Sequence, residues 1–209
     1  FISIAESANL IEALTYSIFE QTLQFYNKHN SVLNKLSFSI NLSSSSLTDV
    51  LLPERLLKLT TQYNVHPKCI TLEITESSVV DSFSKSLDVL TRLRLKGFKL
   101  SIDDFGTGYS SMGQLNKIPF NELKIDKEFI QGAIKNASSL AIIESSAELA
   151  KKLNLEIVAE GVETQAELNI AKKCGCDVIQ GYFFSKPLSA SDFLNKIIES
   201  KDVRKQLSN

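Results

Sequence analysis

The sequence predicts an α/β fold of repeated strand–helix units around a mainly parallel sheet, and three observations lead there. Short strand-like runs alternate with helical stretches along the whole chain. Strand starts fall roughly 20 to 35 residues apart, the rhythm of βα units. Six strands can be read, and the first helix has no strand before it. Six strands suit a doubly wound open sheet, whereas a closed (β/α)8 barrel needs eight and typically about 250 residues. The strandless first helix, and a start at Phe1-Ile2-Ser3 without an initiator Met, favour the barrel, with about two N-terminal strands missing from these 209 residues.

Taken in order, the first helix is expected over Glu6 to Asn30, where Leu10, Ile11, Leu14, Ile18 and Phe19 follow the 3.6-residue period. Leu36 to Leu42 reads as a strand, with Leu36, Phe38 and Ile40 on one face and Ser37, Ser39 and Asn41 on the other. Ser43 to Ser46 is a short loop, and Pro53 to Tyr63 a helix. Ile70 to Thr75 is the second strand, its Ile70, Leu72 and Ile74 opposing Thr71, Glu73 and Thr75. A helix over Ser82 to Lys96 leads to the third strand, Phe98 to Asp103, and then to Glu122 to Asp126. A helix at Ser138 to Leu153, a strand at Glu156 to Glu160 and a helix at Gln165 to Lys173 follow. The series closes with a strand at Val178 to Tyr182 and a helix at Ala190 to Ser200. No linker, repeat or low-complexity tract divides the chain, so residues 1–209 read as a single domain.

The charge balance, 23 basic against 24 acidic residues, excludes a generally basic surface, so neither DNA nor RNA is an expected partner. No apolar run approaches the roughly 18 to 20 residues of a membrane span. Cys69, Cys174 and Cys176 make an odd count without CxxC spacing, which points to a reducing, cytoplasmic compartment. Cys174-Gly175-Cys176 reads as packing rather than a metal site, His29 and His66 as surface residues, and Phe183 and Phe184 as core. There is no GxSxG elbow, and Gly106-Thr107-Gly108 is not followed by the Gly-Lys-Ser/Thr of a P-loop.

The chemistry gathers where the strands end. Asn41, Glu73 with Glu76, Asp103 with Asp104, Lys124 with Asp126, Glu160 with Glu163, and Gln180 stand at or near C-terminal strand ends. Barrel active sites are built at that rim. Several carboxylates converging there repel one another unless some stay protonated or cations hold them. Oxygen ligands of this kind suit hard ions such as Mg²⁺ or Mn²⁺. A pair of such ions is the arrangement used for phosphoester displacement. Lys124 amid the acids could orient a water or neutralise developing charge. Asp103 and Asp104 are neighbours on a strand, so both reach one site only if the strand ends or bulges there.

These residues resemble the motif series of the EAL-domain cyclic di-GMP phosphodiesterases of bacteria. The parts are Phe1-Ile2 with Ala5-Glu6, Asn41-Leu42-Ser43, Glu73-Ile74-Thr75-Glu76, the run from Asp103 to Ser111, Lys124-Ile125-Asp126, Ala159-Glu160-Gly161-Val162-Glu163 and Gln180-Gly181-Tyr182. The resemblance implies a TIM-like (β/α)8 barrel with one antiparallel strand and metal-dependent hydrolysis of cyclic di-GMP to linear pGpG. It implies that Asn41, Glu73 and Asp103 bind one metal, and that Asp103, Asp104 and Glu160 bind a second. Lys124 resembles the lysine that contacts the attacking water. Glu76 resembles the glutamate that steadies the Asp-Asp-Phe-Gly loop, which in the family also forms part of a dimer contact. Glu163 and Gln180 fall at positions near the substrate and its metals. The implied partners are cyclic di-GMP, a second copy of the domain, and fused sensory, receiver or GGDEF domains that could attach a longer protein to the membrane.

The name-giving Glu-Ala-Leu glutamate, a metal ligand in the family, belongs upstream of Phe1. Glu12-Ala13-Leu14 spells the same letters within the first helix, where it is a coincidence. Ser3 stands where proline is usual, Met112 for leucine and Lys127 for arginine, and none of these is a proposed metal ligand. A module that binds cyclic di-GMP without cutting it is the alternative reading.

Overall fold

The computed structural model describes residues 1–8, 10–80, 83–107, 112–115 and 117–207. The expected helix start at Ser82 and the 108–111 part of the long motif lie outside the described residues. The elements run α1 (Ile2–Ser7), α2 (Ile11–Lys28), α3 (Asn30–Leu33), β1 (Phe38–Asn41), α4 (Leu52–Gln62), β2 (Ile70–Thr75), α5 (Glu76–Val80), α6 (Phe83–Leu95) and β3 (Lys99–Phe105). They continue with α7 (Met112–Leu115), β4 (Glu122–Ile125), α8 (Lys127–Gly132), α9 (Ala137–Leu153), β5 (Glu156–Ala159), α10 (Gln165–Lys173), β6 (Val178–Ile179) and α11 (Ala190–Leu207).

All six strands are parallel and lie side by side in chain order, β1 to β6. Their apolar faces are buried beneath the helices: Ile70, Leu72, Ile74, Leu100, Ile102, Leu123, Ile125, Ile157 and Ala159 all belong to the core. The polar face of each strand is left for the concave side, where β1 to β5 are lined by Asn41, Glu73, Ser101, Glu122 and Glu156 in register. Two side chains extend the ladder beyond the strands. Asn121 Oδ1 accepts from Leu100 N at 3.0 Å, and Asp177 Oδ2 accepts from Ile157 N at 2.9 Å. Each satisfies an N–H that would otherwise be left bare where a strand begins.

Three expectations need correction. The single helix expected over Glu6 to Asn30 is divided: α1 ends at Ser7 and α2 begins at Ile11. Ser7 Oγ turns back to Ile4 O, and Leu10 N donates to Ala5 O, a bond one residue longer than a helix makes. The apolar period matched the buried stripe only in part: of the expected residues Phe19 is buried and Ile11 and Leu14 are half-buried. Thr15, Phe19, Leu23 and Tyr26 are the buried residues of α2, whereas Leu10 and Ile18 are exposed. The second correction concerns Phe183 and Phe184, which were expected in the core and are exposed, packed edge to face at 5.3 Å. Third, the last strand stops at Ile179, short of the expected Tyr182: beyond it the backbone bonds to the loop after β5, Val162 N donating to Gln180 O at 3.1 Å and Phe183 N to Val162 O at 2.9 Å. Gly181 passes so close to Val162 that a Cβ there would stand 2.1 Å from Val162 O.

Candidate active site

Four strands, β2 to β5, and the turns at their C-terminal ends assemble the site at the rim. Glu73 is directed inward by the alternation of β2, whose opposite face is wholly buried. Lys124 takes the same direction from β4, while Glu160 follows immediately on β5. Asp103 and Asp104 both reach the site because the register of β3 against β4 shifts between Ile102 and Phe105. Asp104 sits in the left-handed region, φ 54°, which Asp tolerates better than most residues. Gly106 follows at φ 100°, and Glu76 Oε2 accepts its N–H at 3.1 Å. Glu76 is itself buried at the start of α5, so the turn that carries both aspartates is pinned from below.

Lys124 forms the hub. Its Nζ lies 2.9 Å from Glu73 Oε1, 2.9 Å from Asp103 Oδ1 and 2.5 Å from Glu160 Oε1. Lys124 is only 3% exposed and Glu73 6%, so these charges act in a poorly screened environment. Burial works against the ammonium, yet Glu73, Glu160 and Asp103 together outweigh it and hold its pKa above the lysine range. Burial pushes Glu160 up to about 7 against the opposing pull of Lys124. Asp104 is raised too, first by burial and then by the neighbouring Asp103 and Asp126. One ammonium therefore does not fully neutralise this group of acids.

The donors present fit a hard divalent cation. Asp103, Asp104 and Glu160 each place a carboxylate oxygen within 4.8 Å of the others. Asp103 Oδ1 is buried, and its counter-charge among the described residues is the Lys124 ammonium at 2.9 Å, which it shares with Glu73 and Glu160. Three carboxylates on one ammonium leave net negative charge that a divalent cation would offset.

The remaining expected residues sit around this knot rather than in it. Asn41 is exposed on β1, paired in register with Glu73. Glu163 and Gln180 are exposed and line a cleft of about 400 Å³ that opens beside Glu160, together with Lys127, Gln131, Gly161, Gly181 and Tyr182. The role of Glu167 was not foreseen. Its buried Oε2 accepts from Glu163 N at 2.7 Å and Thr164 N at 2.9 Å, while Thr164 caps α10 in return. This capping box fixes the loop that leads away from Glu160, and Thr-x-x-Glu before an apolar helix was its signal in the sequence.

A model of the EAL domain matches residues 1–187. Over 195 residues, the chain is 33% identical to "Cyclic di-GMP phosphodiesterase RocR" of Pseudomonas aeruginosa, covering 93% of this chain and 50% of that protein. The chain belongs to the EAL-domain family. It is also 35% identical to "Oxygen sensor protein DosP" of Escherichia coli over 92% of its length, which is 24% of that protein. The chain thus spans half or less of these two curated relatives. Among solved structures, "PaMucR Phosphodiesterase, c-di-GMP complex" superposes with a TM-score of 0.88 at 31% identity, covering 92% of this EAL chain and 78% of the other. The six-stranded parallel arc accordingly belongs to the TIM-like fold of the EAL domain, and among the described residues no strand pairs β1 with β6. No helix among the described residues is long and apolar enough to cross a membrane.

Proposed function

We propose that this EAL domain, residues 1–209 acting as one unit, hydrolyses cyclic di-GMP to linear pGpG with Mg²⁺ or Mn²⁺. The observation that carries this reading is the convergence of Glu73, Asp103, Asp104 and Glu160 around Lys124 at the strand-end rim, where one ammonium is shared by three carboxylates and Asp103, Asp104 and Glu160 bring oxygens close enough for a cation. The names of the relatives supply the substrate class.

Asn41, Glu73 and Asp103 would hold one ion, and Asp103, Asp104 and Glu160 the other. Such ions, when bound, polarise the phosphate and make a water a better nucleophile at neutral pH. The protein supplies the rest. Lys124 holds one oxygen of each of three carboxylates in place, and its ammonium orients the attacking water. Water adds across one P–O bond: its oxygen joins phosphorus, the bond to the leaving ribose oxygen breaks, and that oxygen takes up one of the water's protons. Glu76 positions the Asp103–Asp104 turn through Gly106. Glu163 and Gln180 face the nucleotide from the cleft beside Glu160. The domain works on the cytoplasmic side, pairs with a second copy through the loop after Asp103, and is fused to sensory, receiver or GGDEF domains in the natural protein.

The test incubates the chain, and the natural protein that carries it, with cyclic di-GMP and Mg²⁺ or Mn²⁺ and follows pGpG by chromatography. Cleavage that stops with EDTA and returns with either ion is the expected result. Tight binding of cyclic di-GMP without cleavage by the natural protein would replace the enzyme with a receptor.

A further inference from the structure

The rim holds more acid than base, yet the proposed substrate carries two phosphodiester anions. The scissile one would meet the cations that the acid cluster would hold. The other needs a positive partner of its own, and the ammonium groups nearby are mostly committed. Lys124 is held by three carboxylates. Lys196 Nζ donates to Phe184 O at 2.8 Å, and Lys186 stands over the Tyr182 ring. Lys127 differs from these. It lines the cleft of about 400 Å³ that runs from Glu160 to Tyr182, is exposed, and has no carboxylate partner among the described residues.

Its placement is fixed at the backbone rather than at the charge. Gly161, φ 65°, passes so close that a Cβ there would lie 2.3 Å from Lys127 Cβ. One helical turn on, Gln131 Nε2 donates to Gly161 O at 3.1 Å. The start of α8 is thereby locked to the loop after Glu160, and the lysine stem leaves from that junction with no ion-pair partner for its ammonium among the described residues. An uncommitted cation on a fixed stem, beside an acidic cluster, is an arrangement for holding an anion that the cluster itself would repel.

We propose that Lys127 is a substrate-positioning residue that binds the phosphate of the cyclic dinucleotide that is not being cut. The proposal rests on the phosphodiesterase reading above and adds to it a determinant of preference for a substrate with two phosphates. The test compares cyclic di-GMP with bis(p-nitrophenyl) phosphate, which has a single phosphodiester, in the natural protein and in its Lys127→Ala, Lys127→Glu and Lys127→Arg variants. Lys127→Ala should raise KM for cyclic di-GMP about tenfold with little change in kcat, the loss of one partly exposed charge-assisted contact. The preference for cyclic di-GMP over the small diester should fall by the same factor. Lys127→Glu should be worse, and Lys127→Arg should restore the preference. Equal losses on both substrates, or an unchanged KM in Lys127→Ala, would overturn the role of Lys127 while leaving the phosphodiesterase reading intact. A natural protein that cuts neither substrate would instead remove the reading on which the proposal stands.

Discussion

Single residues decide whether the rim holds together. Lys124 is buried among three carboxylates, so Lys124→Ala leaves them facing one another without a counter-charge. Losing one partner of a buried ionic group costs about 3 kcal/mol or more, and urea denaturation of the variant should show a loss of that order. An unchanged midpoint would mean that the acids do not depend on the ammonium. Glu76 acts more locally. Glu76→Ala strips the acceptor from Gly106 N, while Glu76→Gln keeps an oxygen there. Activity on cyclic di-GMP should fall at least tenfold in the alanine variant and recover in part in the glutamine one, since a lost buried acceptor costs about 1 to 3 kcal/mol. Equal activity in the two variants would show that the turn needs no anchor. The acids, the lysine and their order were legible in the sequence because each stands at a strand end. The exposure of Glu163 and Gln180 was not legible, because it follows from where loops run after the strands stop.

Elements add constraints that no single residue shows. Helices α4 and α6 are stapled on the outer surface by Glu54, which pairs with Arg92 and, at 2.9 Å, with Lys96. Hydrogen bonds from Lys96 and Arg92 draw the Glu54 carboxyl down to about 2 from its ordinary value of 4.5. A carboxyl lowered by folding contributes stability above its unfolded pKa and loses it as pH falls through the folded one. Glu54→Gln should therefore lower the melting temperature by no more than about 2 °C at pH 6, an effect that shrinks as pH falls toward 2 and as salt is added. A gap undiminished between pH 6 and pH 2 would point to packing instead. Most helix and strand positions could be read from periodicity, and α10 spans the expected Gln165–Lys173. The first helix could not. Its apolar residues are numerous enough to suggest two stripes, and only the packing of Phe19, Leu23 and Tyr26 against the core selects one of them. The bulge in β3 was legible as a requirement, since two adjacent acids cannot otherwise share a site.

At the scale of the whole molecule, β1 and β6 end the sheet, and among the described residues their outer edges are unpaired. Tyr182, Phe183 and Phe184 lie exposed just past β6, and Leu10 is exposed before α2. Unpaired edges beside exposed apolar groups favour association. The isolated chain should therefore show concentration-dependent oligomers by light scattering. Ser39→Lys, on the edge strand β1, should suppress them. Monodisperse monomer at high concentration would argue that neither edge recruits a partner. The order of the strands has a further consequence, in time rather than in space. Each strand lies beside the one synthesised just before it, so no strand waits for a distant later segment before finding its neighbour. The closing of each connection involves only a few tens of residues, which keeps the entropy of loop closure low. A chain emerging from the ribosome can add βα units in sequence, so Lys124 can meet Glu73 and Asp103 before β5 brings Glu160 to the rim. The last of the three carboxylates that surround the lysine is thus the last to arrive, and the hub closes only when β5 docks.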